Sequence, residues 1–137
     1  MDPKQLKART YGFARAVMRF CGPLFDVNRT RDVAGQLQRS GTGVDANYGS
    51  AQEARSPDEF VSKMGQVVDD AKESRGWLQL LSEDPLLKDA PDLPWLVKEA
   101  DELTRIFAKS YRTARANNLQ RKTQERQIPP NRRKARR

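Results

Sequence analysis

Residues 36 to 50 read QLQRSGTGVDANYGS, and the fold turns on what this stretch becomes. Leu37, Gly41, Val44, Tyr48 and Ala51 recur at spacings of three and four, which places them on one helical face. Small residues crowd the segment: Ser40, Gly41, Gly43, Ala46, Gly49, Ser50 and Ala51. Glycine opposes helix formation by roughly 1 kcal/mol per position relative to alanine. A helix with three of them must recover that cost through close packing, with another helix backbone brought near. Taken alone, these residues leave a Gly-rich loop open as the alternative.

Outward from this stretch the punctuation is sharper. Downstream, Ser56-Pro57-Asp58-Glu59 predicts a capping box, with Ser56 as N-cap and Glu59 reaching back from the third position. Phe60, Met64, Val67, Ala71, Ser74, Leu78 and Leu81 follow as one apolar stripe, so a helix is expected to about Ser82. Pro85, Pro91 and Pro94 interrupt residues 83 to 93. A last stripe, Leu96, Ala100, Leu103, Phe107, Tyr111 and Ala114, predicts a helix ending near Asn117-Asn118. Upstream, Asp2-Pro3 suits a helix start, and Leu6, Phe13, Val17, Phe20 and Leu24 repeat at helical spacing until Gly22-Pro23 ends or bends the helix. After a connection over residues 22 to 29, Thr30 or Asn28 is the expected cap of a helix that runs to about Glu53. Four amphipathic segments with short loops make an all-α, up-down-up-down four-helix bundle over residues 1–118, followed by a basic, disordered tail over 119–137.

Gln36-Leu37-Gln38-Arg39-Ser40, Val44, Ala46-Asn47, then Ser56-Pro57-Asp58-Glu59-Phe60, Lys63-Met64, Ala71, Glu73-Ser74 and Trp77-Leu78 carry a further signal. In order and spacing they resemble the bacterial four helix bundle protein family, also called the 23S rRNA intervening-sequence (S23) protein family, over about residues 10 to 115. The resemblance implies that the stretch at 36 to 50 is helical and that subunits assemble as homopentamers. Gly43 stands where the family has serine, Tyr48 replaces an isoleucine, Gly49 an alanine and Ser50 a glutamate. Any role tied to that glutamate does not transfer. Arg39, Asn47 and Glu73 match polar motif positions. They are expected to fix helix register through hydrogen bonds, the alternative being a shared ligand or contact surface. Gly43, Tyr48 and Trp77 are expected to be structural or interface residues with them. Trp77 and Trp95 are expected to anchor helix ends or contacts. A related group of basic pentameric bundles, the accessory variability proteins of diversity-generating retroelements, contacts RNA and a reverse transcriptase.

The 137 residues and 36% hydrophobic content suit one small core. A single cysteine, Cys21, forbids an internal disulfide and fits a reducing, cytoplasmic setting. No apolar run approaches the ~18 to 20 residues that span a bilayer, so no membrane partner is expected. Residues 4 to 25 are basic, acid-free and amphipathic, loosely like a transit peptide, but they read as the first helix of the bundle. Charge is uneven. Residues 1 to 120 hold 18 Lys and Arg against 17 Asp and Glu, whereas residues 121 to 137 hold 8 against 1. The tail therefore carries +7 of the total +8.

The absence of histidine removes the commonest general base and excludes a di-iron bundle built on Glu-x-x-His pairs. Cys21 reads as a packing residue, and Asp69, Asp70 and Glu73 as a solvated acidic face paired with Lys72 or Arg75. No catalytic residue, metal or cofactor is expected, and the chain reads as non-enzymatic. The expected partner is nucleic acid, with RNA favoured over DNA. It would be held electrostatically by Arg112, Arg115, Arg121, Lys122, Arg126, Arg132, Arg133, Lys134, Arg136 and Arg137. In a pentamer five such tails present about +35 in one zone, with avidity between them. A reverse transcriptase or a ribosomal component is the protein partner that the resemblance suggests. The competing expectation is a protein–protein scaffold whose tail only solubilises it.

Overall fold

In a computed structural model, which describes residues 1–128, four helices alternate in direction and no strand occurs among those residues. Helix α1 spans Pro3–Cys21, α2 Asn28–Gln52, α3 Pro57–Ser82 and α4 Leu93–Gln127. Asp2 caps α1: its carboxylate accepts from Gln5 N at 2.7 Å while Gln5 Oε1 accepts from Asp2 N at 3.0 Å. Gly22-Pro23 ends α1 as expected, and the chain turns through one 3-10 helix, Gly22–Asp26.

The caps of α2 and α3 differ from expectation. Neither Asn28 nor Thr30 caps α2, whose N-cap is Val27 with extended backbone and no side-chain bond. Thr30 is buried inside the helix, and its hydroxyl donates to Leu24 O at 2.9 Å, a second bond to a carbonyl that already accepts the Val27 N–H closing the 3-10 turn. Ser56 does cap α3, accepting from Glu59 N at 3.1 Å. Glu59, however, accepts from Arg55 N rather than from Ser56, so the box is half formed.

The core is the sum of the four stripes. Phe13, Val17, Leu37, Val44, Val67, Leu78, Leu96, Leu103 and Phe107 are wholly buried. Phe20, Phe60 and Tyr111 line its edge, half-buried. Tyr48 meets Phe107 edge to face with centroids 5.1 Å apart. The stretch at 36 to 50 is helical throughout, wedged between α1 and α3. Its glycines admit side chains rather than a bare backbone. A Cβ on Gly41 would lie 2.9 Å from both methyls of Val17, and one on Gly43 would lie 2.5 Å from Asp70 Oδ2. Between α2 and α3, Ser74 Oγ donates to Ser40 Oγ at 2.9 Å in full burial. Arg9 forks onto the buried Glu99 at 2.7 and 2.8 Å and also reaches Glu102, tying α1 to α4.

The boundary at residue 118 moves. Helix α4 continues through residues 119–127 and stops at Ile128, which turns extended ahead of Pro129, where proline disfavours helix for the residue before it. The expected disordered tail therefore begins as helix.

Candidate nucleic-acid interface

Of the six residues expected to share structural or interface roles, the bundle makes separate local contacts. Asn47 Nδ2 donates to Asp70 Oδ2 at 2.7 Å, across the gap that Gly43 leaves open. Burial holds the Asp70 carboxyl above its ordinary range, against the bond from Asn47 and with the charges of Glu73 and Asp69. Glu73 instead accepts from Trp77 Nε1 at 3.3 Å, one turn along α3. Arg39 lies exposed on α2. Tyr48 is buried, and desolvation raises its phenol. Trp77 is half-buried, whereas Trp95 is exposed and anchors nothing in the core.

Asp70 is the residue that sequence reasoning misplaced. It sits among three neighbouring acids, and only the phase of α3 decides that it, and not Glu73, turns toward α2. Arg75 pairs with Asp101 of α4 at 3.2 Å rather than with the acidic cluster. Among the described residues no group of three His, Cys, Asp or Glu side chains is placed to hold a metal. Cys21 is buried and its thiol is pushed up to about 11 by desolvation, the wrong direction for a nucleophile. An open cleft of about 670 Å³ at one end of the bundle is lined by Leu6, Tyr48, Ala51, Phe60 and Met64. No charged side chain among the described residues lines it.

The cationic residues are where the geometry is most one-sided. Between Glu102 and Glu125 the chain has no acidic residue, and this whole interval lies on α4. Arg112 and Arg115 are exposed there, as expected. Arg105 and Lys109, which sequence reasoning passed over, extend the same charge toward the bundle's middle; their four-residue spacing was the available signal. Arg105 is paired with Asp101 at 3.1 Å. Arg121 and Lys122 are partly engaged within the molecule. Arg121 donates to Asn118 Oδ1 and Glu125 Oε1, and Lys122 lies 2.7 Å from Asp58 Oδ1. Asp58 also accepts from Asn118 at 2.7 Å, and these two bonds, that from Asn118 first, hold its carboxyl below the usual range. Asp58 thereby pins α4 to the first turn of α3. Arg126 is exposed in the last turn of α4. Arg132, Arg133, Lys134, Arg136 and Arg137 lie outside the described residues.

No protein-family model matches the chain, and no curated protein matches it. Among solved structures it is similar to a protein of unknown function from the S23 ribosomal protein family of Bacteroides thetaiotaomicron. The TM-score is 0.72 at 21% identity, over 82% of this chain and 99% of that one. The four-helix bundle expected from the sequence is thus also the fold of an S23-family protein.

Proposed function

We propose that this chain is a non-enzymatic helical bundle that binds nucleic acid through the far half of α4 and the basic residues beyond it. The observation that carries this is the acid-free interval between Glu102 and Glu125, in which Arg112 and Arg115 stand exposed while Arg105 and Arg121 pair with the carboxylates at its two ends. Such a surface attracts phosphates with little regard to sequence, and each phosphate neutralised releases counterions. Self-association, as a homopentamer by the family resemblance, would gather several such helices and multiply weak contacts. An accessory role beside a reverse transcriptase or a ribonucleoprotein is the setting this suggests, and the same resemblance favours RNA.

Anisotropy titrations of full-length protein against RNA and DNA across a salt series test the reading. Log affinity should fall linearly with log salt, and Arg112→Gln with Arg115→Gln should lower the slope by about one to two. Salt-independent binding, or a slope untouched by these changes and by truncation after Ile128, refutes it. Native mass measurement gives the subunit number. A protein–protein adaptor is the second reading, and one observation favours it: Tyr11 and Met18 stand 55% and 52% exposed on the outer face of α1. A partner that co-purifies after nuclease treatment, and is lost on Tyr11→Ser with Met18→Ser, would support that reading.

A further inference from the structure

The far half of α4 meets the rest of the bundle along one narrow face only. Past Phe107, Asn118 is the one buried residue of the helix, and between 112 and 127 only positions 114, 118, 121 and 122 are even half-buried. Those four share one helical face, the face that meets α3 at Asp58. The rest of the segment is solvent-exposed helix about 24 Å long, at 1.5 Å per residue.

Two different rows occupy its solvent-facing sides. Arg112, Arg115, Leu119 and Arg126 form the cationic one, with Leu119 55% exposed among the arginines. Asn117, Gln120, Gln124 and Gln127 form the other, spaced three, four and three apart, so that four exposed carboxamides share one face. Carboxamides are hydrated well enough to sit on a solvent face, but each also carries a donor and an acceptor side by side. Such groups pair bidentately with adenine N6 and N7, whereas arginine and lysine serve the phosphates.

We infer that the exposed side of the far half of α4 is a reading surface that enters the major groove of duplex DNA, its amide row facing base edges while its arginine row grips one phosphate ridge. The dimensions agree. A helix with side chains is about 10–12 Å across and the B-form major groove about 12 Å wide. The ten steps from Asn117 to Gln127 rise about 15 Å, the length of about four base pairs at 3.4 Å each. The partner is B-form DNA rather than duplex RNA, because the A-form major groove is too deep and narrow for side chains to read. This inference rests on the nucleic-acid reading above but departs from it in two respects: it adds sequence preference, and it favours DNA where the resemblance favours RNA.

The test is selection of full-length protein on a library of random-sequence duplex DNA, followed by affinity measurements on the enriched duplex, a scrambled duplex and the same sequence as duplex RNA. An enriched core of about four base pairs containing adenine is expected. Gln120→Ala with Gln124→Ala should weaken the enriched duplex about ten- to a hundredfold while leaving the scrambled one within about twofold. Alanine is the best helix former, so the helix persists in this variant, as circular dichroism will show. Three outcomes overturn the inference: no enriched core, equal affinity for duplex RNA, or a core read equally well without the two amides. If salt-sensitive binding persists in any of these, the electrostatic reading stands alone. Absence of binding to any nucleic acid removes both.

Discussion

Replacing Gly41 by alanine sets two effects of opposite sign against each other. Alanine favours the helix by about 1 kcal/mol over glycine at an interior position. Its Cβ, however, would lie 2.9 Å from both methyls of Val17 and 3.1 Å from Val17 Cβ. Val17 is fully buried and β-branched, so it has no free rotamer into which to retreat. Overpacking of this kind costs about 1–3 kcal/mol. The net expectation for Gly41→Ala is a loss of about 0 to 2 kcal/mol.

Gly76 supplies the control. It lies exposed in α3, with nothing within 4 Å of a Cβ built there. Gly76→Ala should therefore collect the propensity gain alone, about 1 kcal/mol, or about 3–5 °C in Tm for a chain of this size. Urea and thermal unfolding of the two variants, measured at one protein concentration, separate the terms, since their difference is the packing cost at the α1–α2 contact. If Gly41→Ala stabilises as much as Gly76→Ala, α1 and α2 do not meet closely at Val17, and close packing is not why α2 carries glycine at that position.

Arg9→Met should cost about 2–3 kcal/mol by stranding the buried Glu99 carboxylate, and Arg9→Met with Glu99→Leu should restore most of it; a double variant no better than the single one counts against a buried pair. Asp70, whose carboxyl burial holds above 3.8, carries a penalty of the opposite sign to a salt-bridged acid: the unfolded chain ionises first as pH climbs, so stability is lost above 3.8 and the loss persists at neutral pH. Asp70→Asn keeps an acceptor for Asn47 and should raise Tm at pH 7 but not below about pH 4; an equal gain at about pH 3 refutes the assignment. Asp58→Ala releases both Asn118 and Lys122, so amide hydrogen exchange over residues 119–127 should quicken while the core amides stay protected.

How much of this was legible in the sequence follows from what hydrophobic periodicity can report. It reads burial, so α3 came out with both ends, Pro57 and Ser82, because a Ser-Pro start and a proline-rich stop frame an unbroken apolar stripe. The same signal failed beyond Phe107. Residues 119–127 bury no apolar side chain and are held by polar contacts reaching back about sixty residues to Asp58, which no local window contains. Arg9 and Glu99 were illegible for the same reason, being separated by 90 positions. Asn47 was legible as a polar group in need of a partner, but its partner is Asp70, since adjacent acids on α3 differ only in rotation about the helix axis. The shortfall at the cap of α2 is of another kind: Thr30 has the chemistry of a cap, but the helix starts two residues earlier at Asn28, and its buried hydroxyl bonds back to Leu24 O instead.

The division of α4 has a consequence for how stability and binding relate in this molecule. Leu93, Leu96, Ala100, Leu103 and Phe107 place all of the helix's buried apolar side chains within its first fifteen residues. The bundle's cooperative stability is therefore vested in that half, and the remaining helix adds one hydrogen bond per residue fixed, with little packing behind it. Extending a helix costs less than nucleating one, so the exposed half can be retained by the weak polar tether at Asp58 while the core supplies its nucleus. A ligand that grips it would deepen local protection without moving the global unfolding midpoint by more than mass action requires. On the proposed reading, substitutions at Arg112, Arg115, Gln120 and Gln124 should alter capture and leave folding nearly untouched, whereas those at Gly41 or Arg9 should do the reverse. A variant that moved both together would mean that the end of α4 is packed against something within the assembly, and the exposure on which both functional readings depend would be lost.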